Sequence, residues 1–276
     1  MKDLISIVLP VYNGAEFLKE SIDSVLAQTY GNWELLILDD CSTDETPNIA
    51  LEYEAKDQRI HYYRNEKNLK LPGNLNKGFG LAQGEYLTWT SDDNRYRPEA
   101  LETMLRTLKE KQVGLVFASY QIVDEHDQEI QLMRVSNGDK GYVLRGNVVG
   151  ACFLYTREVY DTVGEYDTEL FLVEDWDYWQ RVMVKFPFYA ITQVLYDYRW
   201  HSASLTSTKN DVQFGEACEK MLLKNRPSFG KLSLQEKNGY YQALCTARKK
   251  RGIRNPYALK SWYFRILCRV IRMLKK

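Results

Sequence analysis

Leu4-Ile5-Ser6-Ile7-Val8-Leu9-Pro10-Val11, closed by Tyr12-Asn13-Gly14, decides how this chain is read. A strand with one wet face alternates apolar and polar residues. This run is almost continuously apolar, the pattern of a strand buried on both faces in a helix-covered parallel sheet. Tyr12-Asn13-Gly14 supplies the turn residues that end it.

Downstream, apolar residues Phe17, Leu18, Ile22, Val25 and Leu26 recur at helical spacing between Glu16 and Gln28. Trp33 to Leu38 is a second two-sided strand, ending at Asp39-Asp40-Cys41-Ser42-Thr43-Asp44-Glu45-Thr46. Ser42 or Thr43 is positioned to cap a helix running to about Ala55. Ile60-His61-Tyr62-Tyr63 reads as a third strand, and Leu71 to Ala82 as a helix. Tyr86-Leu87-Thr88-Trp89 reads as a fourth strand, running into Ser91-Asp92-Asp93-Asn94. The alternation, with connections too short for anything but crossovers, predicts an α/β fold with a doubly wound, mostly parallel sheet flanked by helices.

Further along, the pattern predicts a helix over 98–111, a strand over 114–120 and a polar hairpin region over 121–142. A strand over 148–155, a helix over 157–163, an acidic amphipathic helix from Leu172 to Val182 and a strand over 193–200 follow. From Asp211 onward it predicts helices only, including 232–250 and 256–276. The expected organisation is one domain over residues 1–210 and a basic helical extension over 211–276.

Composition is globular, with 45% hydrophobic and 27% charged residues. The formal net charge is zero, yet beyond Glu236 every charged side chain is Lys or Arg. A recognised nucleic-acid motif is missing, so no nucleic-acid partner is expected. An amphipathic basic helix over 256–276 fits an anionic membrane surface, or packs its apolar side on the preceding domain or another subunit. Five scattered cysteines without metal or redox spacing suggest reduced thiols. No signal peptide is evident and no apolar run reaches the ~18–20 residues of a span. The expectation is a cytoplasmic protein, peripheral at the inner face of the membrane if the tail binds lipid.

Two acid pairs, Asp39-Asp40 and Asp92-Asp93, end two predicted parallel strands, so both should open on the sheet edge where α/β folds bind ligands. Either pair alone reads as turn chemistry; two placed alike suggest one acidic cleft. Such a cleft binds sugar, ribose and base through their donors, and binds diphosphate only through a bridging cation. Neither a Walker loop nor GxGxxG follows the first strand.

The runs Ser6-Ile7-Val8-Leu9-Pro10-Val11-Tyr12-Asn13-Gly14, Ser24 to Tyr30, Asp39 to Thr46, Gly84-Glu85-Tyr86 and Glu174-Asp175 occur in the order of the family 2 glycosyltransferases. The chain resembles that family over about Leu4 to Thr206. The resemblance implies a GT-A fold and an inverting, metal-dependent glycosyltransferase. Its co-substrate would be a nucleotide-sugar, a UDP-sugar, with a divalent cation (Mn²⁺ or Mg²⁺). The acceptor would be a saccharide or lipid-linked saccharide in cell-surface polysaccharide or glycolipid synthesis.

Carried over by position, Pro10, Val11 and Tyr12 contact the base, Asp40 accepts from it, and Asp39 lies nearby. Asp92 holds the ribose and Asp93 ligates the metal. The chain has Asp92-Asp93-Asn94 where Asp-x-Asp is usual, resembling an Asp-Asp-Asn subset. Asn76 matches a family Asn, but Leu75 replaces its neighbouring Arg, leaving Lys70 or Lys77 as substitutes. Asp175, beside Glu174, is the implied general base, and His201 is a candidate metal or diphosphate contact. Trp176 and Trp179 are read as one acceptor platform and one core residue. Two other readings stay open: a catalytically inactive nucleotide-sugar-binding or scaffold protein, and a sugar nucleotidyltransferase.

Overall fold

The computed structural model describes residues 2–138, 142–208 and 210–274. Two compact units are formed. One holds residues up to 136 with 149–166 and 186–202, and the other holds 137–148, 167–185 and 203 onward.

The first unit contains the sheet. Its elements are β1 (Ile5–Val11), α1 (Leu18–Leu26), β2 (Trp33–Asp39), α2 (Thr46–Lys56), β3 (Ile60–Arg64), α3 (Lys70–Leu81), β4 (Tyr86–Trp89) and β5 (Arg95–Tyr96). They continue with α4 (Ala100–Lys111), β6 (Leu115–Val123), β7 (Glu129–Met133), β8 (Phe153–Thr156), α5 (Arg157–Val163) and β9 (Phe188–Arg199). Strand order is β3-β2-β1-β4-β8-β6-β9-β5, with β7 beside β6. The β3-β2-β1-β4 half is parallel, as the alternation predicts. Beyond it β8 runs antiparallel to both neighbours, while β6 and β9 pair in parallel.

All seven residues of β1 are buried, and so are all seven of β2. Period-two geometry sends Ile5, Ile7, Leu9 and Val11 into a core with Leu18, Ile22 and Val25 of α1 and Leu101 and Met104 of α4. Val8 faces the other way and meets α3. A Cβ on Gly78 would lie 2.5 Å from Val8 Cγ1 and 3.0 Å from Leu38 Cδ2. That close approach explains a glycine inside a helix despite its roughly 1 kcal/mol cost.

Several details differ from the sequence pattern. The strand expected over 148–155 begins at Phe153, and the strand expected from 193 begins at Phe188. Arg95-Tyr96 forms the two-residue β5, antiparallel to Asp197 and Tyr196 of β9. A two-residue strand has no periodicity to detect; it exists because β9 offers it a partner.

The second unit is helical: α6 (Glu174–Lys185), α7 (Leu205–Thr208), α8 (Asp211–Asn225), α9 (Leu234–Lys250) and α10 (Ala258–Leu274). Asp177 of α6 is fully buried and accepts from Arg181 Nε (2.8 Å) and Asn225 Nδ2 (2.9 Å), tying α6 to the end of α8. Ser233 and Glu236 close a capping box at the start of α9, worth about 1 kcal/mol. Glu219 of α8 receives Arg248 and Arg251 across the α8–α9 contact. Among the described residues no helix is long and apolar enough to cross a membrane.

Candidate active site

The turn after β4 is held from several sides. Thr90 donates its amide to Val8 O (3.0 Å), and its hydroxyl pairs with Tyr196 OH (2.7 Å). Ser21 Oγ binds Ser91 O at 2.8 Å. The β5–β9 register then sets Asp93 and Asn94 against Arg199. The Arg199 amide donates to Asn94 Oδ1 (2.8 Å), and its Nε donates to Asp93 O (3.2 Å). Asn94 is 2% exposed. It therefore acts as a clamp between the acidic turn and β9, and its side chain is turned away from the open edge.

Arg199 is itself buried, with its guanidinium 4.3 Å from the Phe17 ring and 2.6 Å from Glu20 Oε2. The side chain thus joins α1 to β9 two residues before His201. His201 Nε2 lies 3.1 Å from Asp93 Oδ2, and its ring packs on Phe17 at 5.2 Å. The family resemblance makes Asp93 a metal ligand and His201 a candidate metal or diphosphate contact, and their side chains meet.

Asp92 approaches the loop after β1. A Cβ built on Gly14 would sit 1.7 Å from Asp92 Oδ2, so glycine is required for that carboxylate to occupy its place. Burial and the neighbouring Asp93 charge push Asp92 up to about 8. Burial also raises Asp93, opposed by the hydrogen bond from His201. Asp93 Oδ1 is buried with no partner. A buried, unpaired carboxylate oxygen beside a second carboxylate and an imidazole is a donor set suited to Mg²⁺ or Mn²⁺. Among the described residues no group of three or more His, Cys, Asp or Glu side chains is placed to hold a metal ion by itself. A cation here would take its remaining ligands from substrate oxygens and water, the usual habit of Mg²⁺.

The other acid pair has its partners inside the fold. Asp39 is fully buried; Oδ1 accepts the Ser42 amide (2.7 Å) and Oδ2 accepts Tyr62 OH (2.7 Å). Asp40 is 3% exposed, and its Oδ1 accepts from Asn65 Nδ2 and the Leu69 amide, each at 2.8 Å. Ser42 caps no helix; its hydroxyl accepts the Asn13 amide (2.9 Å), latching the β1 loop to the β2 loop. Of Pro10, Val11 and Tyr12, only Tyr12 exposes its side chain (55%), so the other two can offer a ligand backbone alone.

Asn76 does not face the strand ends as a free amide. Its Nδ2 donates to Tyr166 O (2.9 Å) and its Oδ1 accepts the Tyr166 amide (2.8 Å), which holds the side chain against the Tyr166 backbone. Lys77 Nζ binds Asn65 Oδ1 at 2.6 Å, extending the Asp40 network, while Lys70 is exposed.

In the second unit, Glu174 and Asp175 open α6, where the helix dipole favours acids. Leu172 just before them has φ +81°, a strained conformation for a large side chain. Glu174 is 4% exposed, has a buried oxygen without a partner, and is pushed up to about 8 by burial and by Asp175. Asp175 is less buried and accepts Asn147 Nδ2 at 2.5 Å and the Trp176 amide at 2.6 Å. The two acids are thus set apart by environment, Glu174 pushed toward its neutral form by burial and Asp175 less buried and hydrogen-bonded. Trp176 and Trp179 are both buried, Trp176 donating Nε1 to Val143 O (2.6 Å), so neither is an exposed acceptor platform.

Residues 6–164 match the family model Glycosyl transferase family 2. A Rickettsia typhi protein named uncharacterized glycosyltransferase RT0329 is 32% identical over 80% of this chain and 72% of its own length. The putative teichuronic acid biosynthesis glycosyltransferase TuaG of Bacillus subtilis is 28% identical over 75% of this chain and 83% of its own. Among the rickettsial relatives the chain spans between 30% and 72% of their length.

The S. aureus TarS 1–349 structure with UDP-GlcNAc superposes with a TM-score of 0.73 at 17% identity, covering 89% of this chain and 72% of that one. The Pyrobaculum calidifontis mannosyltransferase PcManGT with GDP-Man and Mn²⁺ gives 0.62 at 17% identity, over 95% and 79%. These two share the fold. With its parallel β3-β2-β1-β4 core, its acid-bearing strand ends and this matched stretch, the chain belongs to glycosyl transferase family 2.

Proposed function

We propose that the protein is an inverting, metal-dependent glycosyltransferase. It would move a sugar from a nucleotide-diphosphate donor, a UDP-sugar, to a saccharide or lipid-linked saccharide in cell-surface polysaccharide or glycolipid synthesis. The carrying observation is the unpartnered buried Oδ1 of Asp93 beside Asp92 and His201 in a chain of this family. The names of TuaG and of the TarS complex, one citing teichuronic acid and the other UDP-GlcNAc, support the polymer and donor classes. The PcManGT complex supports a divalent cation.

In this reading Tyr12 and the backbone of Pro10 and Val11 receive the base, Asp40 its polar edge, and Asp92 the ribose. Asp39 supports Asp40 from behind. Asp93 and His201 would hold the cation, which when bound neutralises charge on the departing diphosphate. The acceptor hydroxyl oxygen bonds to the anomeric carbon as the carbon–oxygen bond to the diphosphate breaks. The diphosphate leaves with that electron pair, and the hydroxyl proton passes to Asp175. One displacement inverts the anomeric centre. Glu174, held protonated near neutral pH by its burial, leaves Asp175 as the acid of that pair able to accept a proton. The reaction would take place at the membrane face when the acceptor is lipid-linked, which makes a peripheral location part of the reading.

A thermal-shift series with UDP, GDP, CDP and their sugars, with and without Mn²⁺, tests the donor class. Stabilisation by uridine nucleotides alone, and only with metal, is expected; a metal-independent response to all bases overturns it. Asp175→Asn should keep donor binding while turnover falls about 10²-fold or more. Unchanged turnover would remove Asp175 from the mechanism.

A further inference from the structure

The apolar residues of α10 form two faces, and the structure separates them. One seam packs inward: Ser261 and Cys268 are buried, and Phe264 stacks on Tyr241 of α9 with ring centroids 5.5 Å apart. This seam already gives the helix its intramolecular partner. On the far side Leu259 (80%), Trp262 (61%), Tyr263 (55%), Ile266 (38%) and Met273 (68%) remain exposed. At 3.6 residues per turn these five fall within about 100° of the circumference, opposite the packed seam. Large apolar residues left in water singly need no account, but five on one side of one helix do.

Charge says what covers it. Arg265 and Arg269 are exposed and run along one flank of the stripe, with Lys260 on the other. Among the described residues none of the three forms an ion pair with a carboxylate. From Lys237 to Lys276 the sequence holds twelve Lys and Arg and no Asp or Glu. Lys275 and Lys276 lie outside the described residues. A protein partner would have to be both apolar and acidic in a matching band, whereas an anionic bilayer surface offers both properties everywhere. Trp and Tyr are the side chains that settle at the headgroup level.

We propose that α10 lies in the plane of an anionic lipid surface. Leu259, Trp262, Tyr263, Ile266 and Met273 would enter the acyl boundary, with Lys260, Arg265 and Arg269 on the headgroups. This rests on the peripheral location in the functional reading and identifies the face that provides it. Lipid binding is measured without donor or metal, and the nucleotide test uses no lipid, so either can fail while the other stands.

The test is co-sedimentation of the full chain with vesicles of pure phosphatidylcholine and with vesicles containing about 30% phosphatidylglycerol, in low and high salt. Binding to the anionic vesicles alone, weakened by salt, is expected. Leu259→Ser/Trp262→Ser/Ile266→Ser and Arg265→Glu/Arg269→Glu should each cut the partition coefficient by about tenfold or more. All five positions are exposed, so nucleotide-induced thermal shifts should be retained and report that the variants fold. Equal sedimentation of wild type and both variants overturns the proposal. So does a dimer in sedimentation velocity that the serine variant abolishes while lipid binding is absent, which would make the stripe an interface between copies.

Discussion

Asp39-Asp40 and Asp92-Asp93 are two pairs of adjacent carboxylates at the ends of strands in the same parallel half-sheet, yet the fold treats them oppositely. Asp39 has both oxygens engaged and Asp40 has two donors on one, from β3 itself and from the loops that follow β2 and β3. Asp92 and Asp93 are raised by burial, and Asp93 keeps an oxygen with no donor. Position at a strand end does not separate the two pairs. Hydrogen-bond accounting does: Asp39 is satisfied on both oxygens and belongs to the frame, while Asp93 keeps a buried oxygen that the fold leaves unserved.

That contrast is most directly broken at Asp93. Asp93→Ala should abolish metal-dependent nucleotide stabilisation and reduce turnover about 10³-fold, equivalent to about 4 kcal/mol of barrier. Its unfolding free energy should change by less than about 1 kcal/mol, since the carboxylate it removes is poorly served in the fold. Metal titration followed by thermal shift and urea unfolding measure both halves. Retained metal dependence would assign the cation elsewhere.

The reverse pattern is expected at Asp39. Asp39→Ala leaves the Ser42 amide and the Tyr62 hydroxyl, both now its donors, without an acceptor. The cost should be about 3 kcal/mol of unfolding free energy in urea. An Asp39→Ala protein as stable as the parent would mean that the two pairs differ less than their hydrogen bonds suggest.

Much of this was legible before any coordinates. β1 and β2 are buried on both faces, so a continuous apolar run suffices to find them, and the parallel half-sheet follows from the alternation. The Asp93–His201 meeting was legible only through the family resemblance, since 108 residues separate them in sequence. What sequence could not show depends on distant partners. Asn76 is held by the backbone of Tyr166, ninety residues away. Asn94 looks like a weakened metal ligand until Arg199 is seen to claim it. Gly14 carries no sign of Asp92 in its neighbourhood of the chain. Trp176 and Trp179 sit at a spacing that fits a platform and a core equally well, and burial alone decides.

The third acid pair offers the smallest effect and sharpens the rule. Glu174 has an unpartnered oxygen like Asp93, but it is buried at the start of α6 and its pKa is pushed up to about 8, so the fold meets the need with a proton. A carboxyl that holds its proton more tightly folded than unfolded loses stability for the protein as pH rises. The loss begins near the unfolded pKa of about 4.3 and is complete only above the folded value. Glu174→Gln keeps the shape and removes the ionisation. The variant should match the parent near pH 4 and exceed it increasingly as pH rises in urea unfolding, a gain that levels off above pH 8. A difference independent of pH would mean that Glu174 is ionised and paired in the fold. It would then compete with Asp175 for the acceptor proton, and the assignment of a single base would lose its physical ground.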